Sequence, residues 1–275
     1  MRDIFERATA PESDPAPLPH AVLVFAHPDD EVVALGSRLK RFQSAHFFHV
    51  TDGAPQNEID SQAHGFRLLG DYREARRKEL HQAFERAGLQ DATEEWLGIS
   101  DQDASFHLPD LVQRLRSILS QRRPEVVFTH PYEGGHPDHD ACAFAVHQAI
   151  SLLENAPVVI EAAFYHAGPS GMETGRFLPA PNATRELVYR LNRAERQNKR
   201  HLFNCFATQQ QVLSCFSLDT ERFRITPKYN FQKPPHTPPV FYDGQPWGMT
   251  SVHFSELARE AQYSTRVPEV AGACH

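Results

Sequence analysis

The chain has 275 residues, of which 40% are hydrophobic, and its 28 basic and 35 acidic side chains give a formal net charge of −7. This length and composition predict a flexible N-terminal tail, 1–19, followed by one large α/β domain with a C-terminal elaboration, 20–275. The acidic balance gives no indication of a nucleic-acid binder, and no apolar run is long enough to span a bilayer. The tail lacks an apolar stretch, so it resembles neither a secretory signal nor a transit peptide.

Strand-like and helix-like stretches alternate along most of the chain. The predicted strands are 21–26, 45–50, 95–99, 126–129 and 157–166, and the predicted helices are 31–44, 71–87, 108–121 and 140–154. Such alternation implies parallel strand pairing with right-handed crossovers. The sequence therefore predicts a Rossmann-like three-layer sandwich around a mostly parallel sheet.

Two Gly/Pro-rich stretches, 168–184 and 227–248, interrupt this alternation. Long irregular segments often form the rim of a binding site, so both are candidate rim loops. A surface connection explains them equally well.

Four cysteines are few for a chain of this length, and they form no Cys-x-x-Cys pair: Cys142, Cys205, Cys215 and Cys274. This usage favours small core residues over metal ligands and suits a reducing cytoplasm. The sequence does not indicate an oligomeric state.

Two short motifs concentrate histidines and carboxylates just after apolar strands. His27-Pro28-Asp29-Asp30-Glu31, called the first box here, follows the first predicted strand, and His136-Pro137-Asp138-His139, the second box, follows the fourth. A hydrolytic zinc ion takes three protein ligands from His and Asp/Glu, keeps one position for water and needs a base nearby. The ligands predicted on this basis are His27, Asp30 and His139, with Asp29 as the base.

A simpler explanation is that the acidic residues stabilise helix N-termini, where carboxylates and proline are favoured. Capping accounts for the carboxylates but not for three histidines at two strand ends. Because parallel strands bring their carboxyl ends to one edge, both boxes can meet where the strand order reverses. His130, also at a strand end, is better explained as a hydrogen-bonded supporting residue than as a ligand.

The two boxes, extended to Ala26 and Gly135, resemble the PIG-L/LmbE family of zinc-dependent N-acetylglucosaminyl deacetylases, which includes enzymes of the mycothiol and bacillithiol pathways. The similarity extends over roughly residues 20 to 210. Shorter matching segments lie within it: Arg76-Arg77-Lys78-Glu79-Leu80, Asp101, and Lys199 with Ala207-Thr208-Gln209.

The resemblance implies one Zn²⁺ per chain, held by His27, Asp30 and His139, and attack of metal-bound water on the acetyl amide of a GlcNAc-type amino sugar or conjugate. It makes Asp29 the general base, places His136 against the reacting carbonyl, and lets Asp138 orient His136. Substrate contacts then fall to Arg76 and Asp101, each explained equally well as a structural ion-pair partner.

Two positions depart from the family pattern. Ala54 follows Gly53 where several members have Glu, and Gly134 stands where some have Tyr. Both departures concern substrate contact, so the sequence does not identify the sugar. Nor does it specify the native metal (Zn, Fe, Co or Mn) or the role of the Pro-rich C-terminal segment. Two alternatives to the deacetylase also stay open: another metal hydrolase, for example of phosphoesters, and a non-catalytic metal-binding protein with His130 or His136 as fourth ligand.

Overall fold

A computed structural model describes residues 3–179 and 185–266. The helices are α1 Ile4–Ala8, α2 Asp30–Leu35, α3 Ile59–Ala63, α4 Leu69–Ala87, α5 Leu108–Arg122, α6 Pro137–Ser151, α7 Arg193–Phe203, α8 Gln210–Leu213 and α9 Ser251–Arg266. The strands are β1 Ala21–Phe25, β2 His46–Thr51, β3 Thr93–Ile99, β4 Val126–Thr129, β5 Val158–Ala162, β6 Tyr165–Gly168, β7 Gly171–Thr174, β8 Glu186–Arg190 and β9 Thr220–Ile225. None of the described helices combines the length and hydrophobicity that a bilayer-spanning helix requires.

Seven strands form the central sheet, in the order β3-β2-β1-β4-β5-β9-β8. Neighbouring strands from β3 to β5 pair in parallel, whereas β9 runs antiparallel to β5, and β8 antiparallel to β9. This confirms the predicted mostly parallel α/β sheet. The chain moves from β1 outward to β3 and then returns to β4 on the other side of β1, so the strand order reverses between β1 and β4.

The interior of β1 explains the layers on either side of the sheet. Every residue of β1 is buried, and alternate side chains point to opposite faces. Val22 and Val24 join the apolar cluster that contains residues of α5, α6 and α9, whereas Leu23 and Phe25 join the one with α2, α4 and α7. A continuous apolar run is what a strand covered on both faces requires.

Two predicted elements end earlier in the structure than in the sequence analysis. The helix expected over 31–44 is α2, which ends at Leu35 before a short 3₁₀ turn, Leu39–Phe42. Gly36 follows α2, and a Cβ there would lie 2.8 Å from Lys199 Cγ, so the close approach of Lys199 requires glycine. The strand expected over 157–166 divides into β5 and β6. β6 forms a separate hairpin with β7, and β7 lies inside the stretch 168–184 that was expected to be irregular. Residues 180–184 of that stretch, and Cys274, lie outside the described residues.

The described part of the N-terminal segment differs from the flexible tail that we expected. Helix α1 buries Phe5 and Ala8 against the apolar cluster that contains α2 and α4. The Arg41 guanidinium donates to the carbonyls of Arg7, Ala10 and Ala16 at 2.8 to 3.0 Å. These bonds fix a polar segment that no hydrophobic pattern identifies.

Candidate active site

Three predicted metal ligands converge at the carboxyl ends of β1 and β4. His139 Nε2 lies 3.3 Å from His27 Nδ1 and 3.3 Å from Asp30 Oδ1, and His27 Nδ1 lies 3.5 Å from Asp30 Oδ2. All three residues are buried. Tetrahedral ligands bound at zinc's usual distances are about 3.3 Å apart, and two imidazoles with one carboxylate are donors that zinc accepts. The residues present therefore fit a divalent ion, and His27, Asp30 and His139 are called the tripod below.

The backbone of the first box and His130 hold Asp30 in this position. Asp30 Oδ2 accepts a hydrogen bond from the His27 backbone N–H at 2.8 Å and lies 3.2 Å from His130 Nε2. The His130 ring stacks on His139 with centroids 3.9 Å apart. Burial alone would raise the pKa of Asp30, but His139 and His130 outweigh it and hold that pKa well below its usual value. His130 thus supports the tripod from behind.

The far side of the His27 ring faces two carboxylates. His27 Nε2 lies 3.1 Å from Asp101 Oδ1 and 3.3 Å from Asp138 Oδ2. A metal-binding histidine usually donates its second N–H to a carboxylate, which fixes the ring and leaves the other nitrogen free for the ion. Asp101, expected among the substrate residues, is placed against His27.

The Asp138 carboxylate does not reach the His136 ring. The Asp138 carboxylate lies 3.9 Å from His136 Nδ1, beyond hydrogen-bond distance. It accepts instead from the backbone N–H groups of Gln102 at 2.7 Å and Ala104 at 3.0 Å. These loop N–H groups lie more than 30 residues before Asp138 along the chain, so the local sequence does not show that they hold its carboxylate. Asp138 joins the site through His27.

His136 caps α6 and presents its other nitrogen to the site. Its Nδ1 accepts the backbone N–H of Asp138 at 3.2 Å, so a neutral ring carries its proton on Nε2. Burial lowers the pKa of His136 well below its usual value, which keeps the ring neutral. The ring contacts His27, with centroids 4.6 Å apart, and Trp247, with centroids 4.5 Å apart. His136 therefore caps α6 with Nδ1 and presents the N–H of Nε2 to the site.

Asp29 lies beside the tripod and does not cap α2. It occupies the N-cap position, yet its side chain makes no capping hydrogen bond, and its φ of 152° is a conformation that favours glycine. Such backbone strain occurs mostly at functional sites. Burial raises the pKa of Asp29 to about 7, against the opposing charge of Arg76.

Arg76 forms a buried ion pair with Asp29. Both Nη1 and Nη2 lie 3.3 Å from Asp29 Oδ2, and Arg76 is 2% exposed. Gly53, at a φ of +63°, makes room: a Cβ there would lie 2.8 Å from Arg76 Nε. Farther along α4, the Glu79 carboxylate accepts from Thr208 N at 2.9 Å and Thr208 Oγ1 at 2.6 Å, so these two family-like segments touch.

A cavity of about 440 Å³ opens over these residues. The tripod, Asp29, Arg76, Asp101, His136 and Gln209 line it together with side chains that sequence reasoning missed: Asp60, His64, Gln102, Met172, Phe216, Phe241 and Trp247. Met172 comes from the first candidate rim loop, and Phe241 and Trp247 from the second. The Gly/Pro-rich composition of the two loops was the sequence signal for these three residues, and it does not specify which side chains of a loop face a site.

Asp140 is another residue that sequence reasoning missed. Its Oδ1 accepts the backbone N–H groups of Glu133 and Gly134 at 3.2 and 3.1 Å, and its Oδ2 accepts from the Tyr242 hydroxyl at 3.1 Å. The loop before His136 is therefore fixed from inside α6.

The sheet, and the tripod over its β1/β4 reversal, define an α/β protein with a candidate metal centre. Residues 22–150 match the family model described as "PIG-L: GlcNAc-PI de-N-acetylase". This segment is therefore similar to the PIG-L family, which confirms the resemblance predicted from the two boxes.

A curated relative and solved structures extend this comparison. The chain is 32% identical over 146 residues to the "Probable N-acetyl-alpha-D-glucosaminyl L-malate deacetylase 2" of Bacillus cereus, a match that covers 51% of this chain and 66% of the relative. A zinc-inhibited form of teicoplanin deacetylase Orf2 superposes with a TM-score of 0.58 at 17% identity, covering 74% of this chain and 97% of the other. The 4-carboxy-2-hydroxymuconate hydratase GalB of Pseudomonas putida KT2440 gives 0.54 at 17% identity, covering 78% and 98%. At such identities the structures show the shared fold, which carries both a deacetylase and a hydratase.

Proposed function

We propose that the chain is a zinc-dependent hydrolase that removes the acetyl group from an N-acetylated amino sugar of the GlcNAc type. The observation that carries the proposal is the tripod, with donor atoms 3.3 to 3.5 Å apart, beside Asp29, a buried carboxylate that caps nothing. The similarity to the PIG-L family and the name of the Bacillus relative support the choice of an N-acetyl sugar.

His27, Asp30 and His139 would hold the ion. A bound divalent ion supplies Lewis-acid chemistry: it polarises an amide carbonyl and acidifies an attacking water. Asp138 accepts the Nε2 proton of His27 at 3.3 Å, with the Asp101 carboxylate 3.1 Å from the same nitrogen, and this directs the Nδ1 lone pair of His27 toward the other two ligands. Both are positioning residues.

Asp29 is the proposed general base. It takes a proton from the attacking water and returns it to the departing amine, while Arg76 fixes the carboxylate by its two contacts to Oδ2. His136 donates its Nε2–H to the oxygen that becomes negative, a contact typically worth about 3 kcal/mol to the transition state. The products are acetate and a free amine, without an acyl-enzyme.

The alternative functions receive less support from the same contacts. A second group of metal-binding residue types, His27, Asp101, His136 and Asp138, shares His27 with the tripod, so a two-ion phosphoesterase site would need that ring to bridge both ions. A closed structural site needs a fourth protein ligand, yet His130 Nε2 is already occupied by the Ala26 backbone N–H at 3.0 Å and by Asp30 Oδ2 at 3.2 Å. Two metal ions per chain with phosphate release would favour the phosphoesterase.

The test is acetate release from a panel of acetamido sugars, followed by mass spectrometry as the loss of one acetyl group, with the metal content measured on the same protein. We expect about one zinc per chain, and we expect Asp29→Asn to retain that metal while losing roughly 10²- to 10⁴-fold in turnover, the usual contribution of a general base. Asp110→Asn, an exposed carboxylate on α5, is the control. Metal-loaded protein that is inactive on the whole panel, or full turnover by Asp29→Asn, would contradict the proposal.

We also propose a cytoplasmic location, because Cys142, Cys205 and Cys215 are free thiols. The proposed partner is the small-molecule sugar or sugar conjugate itself. Disulfide mapping of protein purified from its native source, under conditions that prevent oxidation, checks the first point.

A further inference from the structure

The cavity over the tripod has two chemically different walls. One, called the polar wall, consists of Asp60, His64, Gln102 and Gln209. The other, called the apolar wall, consists of Met172, Phe216, Phe241 and Trp247. His64 stacks on Tyr72 and Gln209 donates to the Tyr72 hydroxyl, whereas Phe216 and Phe241 both contact Tyr165. A ligand that fills the cavity therefore meets hydrogen-bonding groups around Tyr72 and mainly hydrocarbon around Tyr165, with Gln211 and Gln245 completing the lining.

The apolar wall begins at His136 and extends away from the tripod. Trp247 lies on His136, with centroids 4.5 Å apart, and Phe241 follows at 6.2 Å from Trp247. Tyr165 joins Phe241 and Phe216 behind the wall, at 5.7 and 6.0 Å. All four members of the wall stay partly exposed, so they keep apolar surface in contact with water inside a concave site. Surface of this kind is typically covered by a bound ligand.

The charges in the cavity limit what that ligand can carry. Among the described residues that line the cavity, Arg76 is the one Lys or Arg, and Asp29 already pairs with it. Four carboxylates line the same space: Asp29, Asp30, Asp60 and Asp101. Asp29 pairs with Arg76 and Asp30 would hold the ion, so an additional anionic group placed away from the ion would meet Asp60 and Asp101 and no unpaired guanidinium or ammonium among the described lining residues.

We infer that the substrate is an N-acyl amino sugar bearing an uncharged apolar group, alkyl, acyl or aryl, that lies on the apolar wall while the sugar hydroxyls face the polar wall. This inference rests on the deacetylase function proposed above. It separates this chain from a relative whose name specifies malate, a dianionic conjugate. The apolar group has two chemical origins, the anomeric substituent and the amide acyl chain, and both place hydrocarbon beside His136.

The experiment compares kcat/KM across matched substrates: the methyl, hexyl and phenyl glycosides of GlcNAc, the N-hexanoyl analogue of the methyl glycoside, and the malate glycoside. We expect at least about a tenfold higher kcat/KM for an apolar glycoside or for the N-hexanoyl compound than for methyl GlcNAc, mainly through a lower KM. The arm that gains identifies the origin of the apolar group. We expect the malate glycoside to stay at or below the methyl glycoside.

Two variants connect that preference to the wall. Phe216→Ser and Met172→Gln, both partly exposed and outside the tripod, should reduce the ratio of apolar to methyl kcat/KM at least about fivefold. Phe106→Ser is the matched control, because Phe106 is 48% exposed and lies outside the cavity lining. It should leave the ratio unchanged, and thermal melting verifies that all three variants fold.

Failure of the inference is distinguishable from failure of the deacetylase function. Equal kcat/KM for all the neutral substrates, or a preference for the malate glycoside, overturns the inference and leaves the deacetylase intact. Absence of acetate release from every sugar overturns the function. In that case calorimetry with hexyl and methyl glucosaminide still tests the wall, and equal affinities would overturn it.

Discussion

The two ends of helix α2 carry buried charge in opposite ways. At its N-terminal end, Asp29 and Asp30 lie among the imidazoles of the candidate metal centre. Beyond its C-terminal end, the Glu221 carboxylate accepts from Arg38 Nε at 2.8 Å and Lys199 Nζ at 3.0 Å. Lys199 also donates to the Val33 carbonyl of α2 at 2.7 Å.

The difference between the ends is charge balance. Around Glu221, one carboxylate accepts from two cations and from the Ser37 backbone N–H, so each charged group contacts a partner of opposite sign and the excess charge is positive. Around Asp30, four carboxyl groups (Asp29, Asp30, Asp101 and Asp138) face Arg76 and His27. Burial alone would lower the pKa of His27, but its carboxylate neighbours outweigh burial and raise it, whereas burial lowers the pKa values of His136 and His139. Excess buried charge is costly, so the second cluster, with its excess of carboxyl groups, favours a bound cation and the first does not. The comparison predicts that changes at one end affect catalysis and changes at the other affect stability.

The largest expected effect is loss of the ion from the N-terminal end. His139→Ala removes one of three ligands, so we expect activity to fall on the order of a thousandfold or more, together with the bound zinc. Circular dichroism should still report a folded protein, since Asp30 keeps its hydrogen bond from the His27 backbone N–H. Metal analysis and acetate release measure the effect, with exposed His253→Ala as control. A variant that keeps both metal and activity would remove His139 from the tripod.

At the C-terminal end the expected effect is on folding. Glu221→Gln leaves Lys199 and Arg38 buried without a counter-charge, so we expect the free energy of unfolding to fall by about 3 kcal/mol. Urea unfolding measures this, and kcat of the folded fraction should stay near wild type. Glu186→Gln, which removes an exposed pair with Arg222, should cost less than about 1 kcal/mol. If Glu221→Gln reduced kcat without a stability loss, the division between the two ends would be wrong.

Sequence patterns predicted the strands next to the site better than the surrounding elements. The run 21–26 is continuously apolar because both faces of β1 are buried, and β4 is apolar for the same reason. β8, β9 and α9 did not emerge from the pattern. β8 alternates between half-buried and exposed residues at a sheet edge, and the antiparallel pairing of β9 depends on partners 30 or more residues away along the chain.

The site divides in the same way. Residue type and spacing identify His27, Asp30, His139 and Asp29, because metal ligands must be specific residues at strand ends. The partner of a buried carboxylate is not encoded locally. The partners of the Asp138 carboxylate, the backbone N–H groups of Gln102 and Ala104, are set by the conformation of a loop distant in sequence.

Arg76 is a further test at the N-terminal end of α2, because it is the one Lys or Arg among the described residues that line the cavity. Arg76→Met leaves Asp29 without its ion-pair partner, so we expect activity to fall roughly 10- to 100-fold. If Arg76 positions the base, kcat falls and KM for the sugar stays nearly constant. A rise in KM alone would indicate that Arg76 contacts the substrate, as expected from the sequence. Arg73→Met, on the same helix and half exposed, is the matched control. Steady-state kinetics at saturating metal provide the measurement.

The smallest effect is a pH dependence confined to the C-terminal end. Burial alone would raise the pKa of Glu221, but Lys199 and Arg38 outweigh burial and hold the pKa below its ordinary value of 4.5. A carboxyl whose pKa is lower in the folded state stabilises the protein above its unfolded pKa, and that contribution is lost as the pH falls below about 4.5. Glutamine does not titrate, so the stability gap between wild type and Glu221→Gln should be constant from pH 7 to 6 and shrink below 4.5, by about 1.4 kcal/mol for each pH unit of depression. Urea unfolding of both proteins from pH 7 to 3.5 gives the gap directly. A gap that widens on acidification would mean that Glu221 is protonated in the folded protein, and the two ends of α2 would then differ in geometry but not in charge balance.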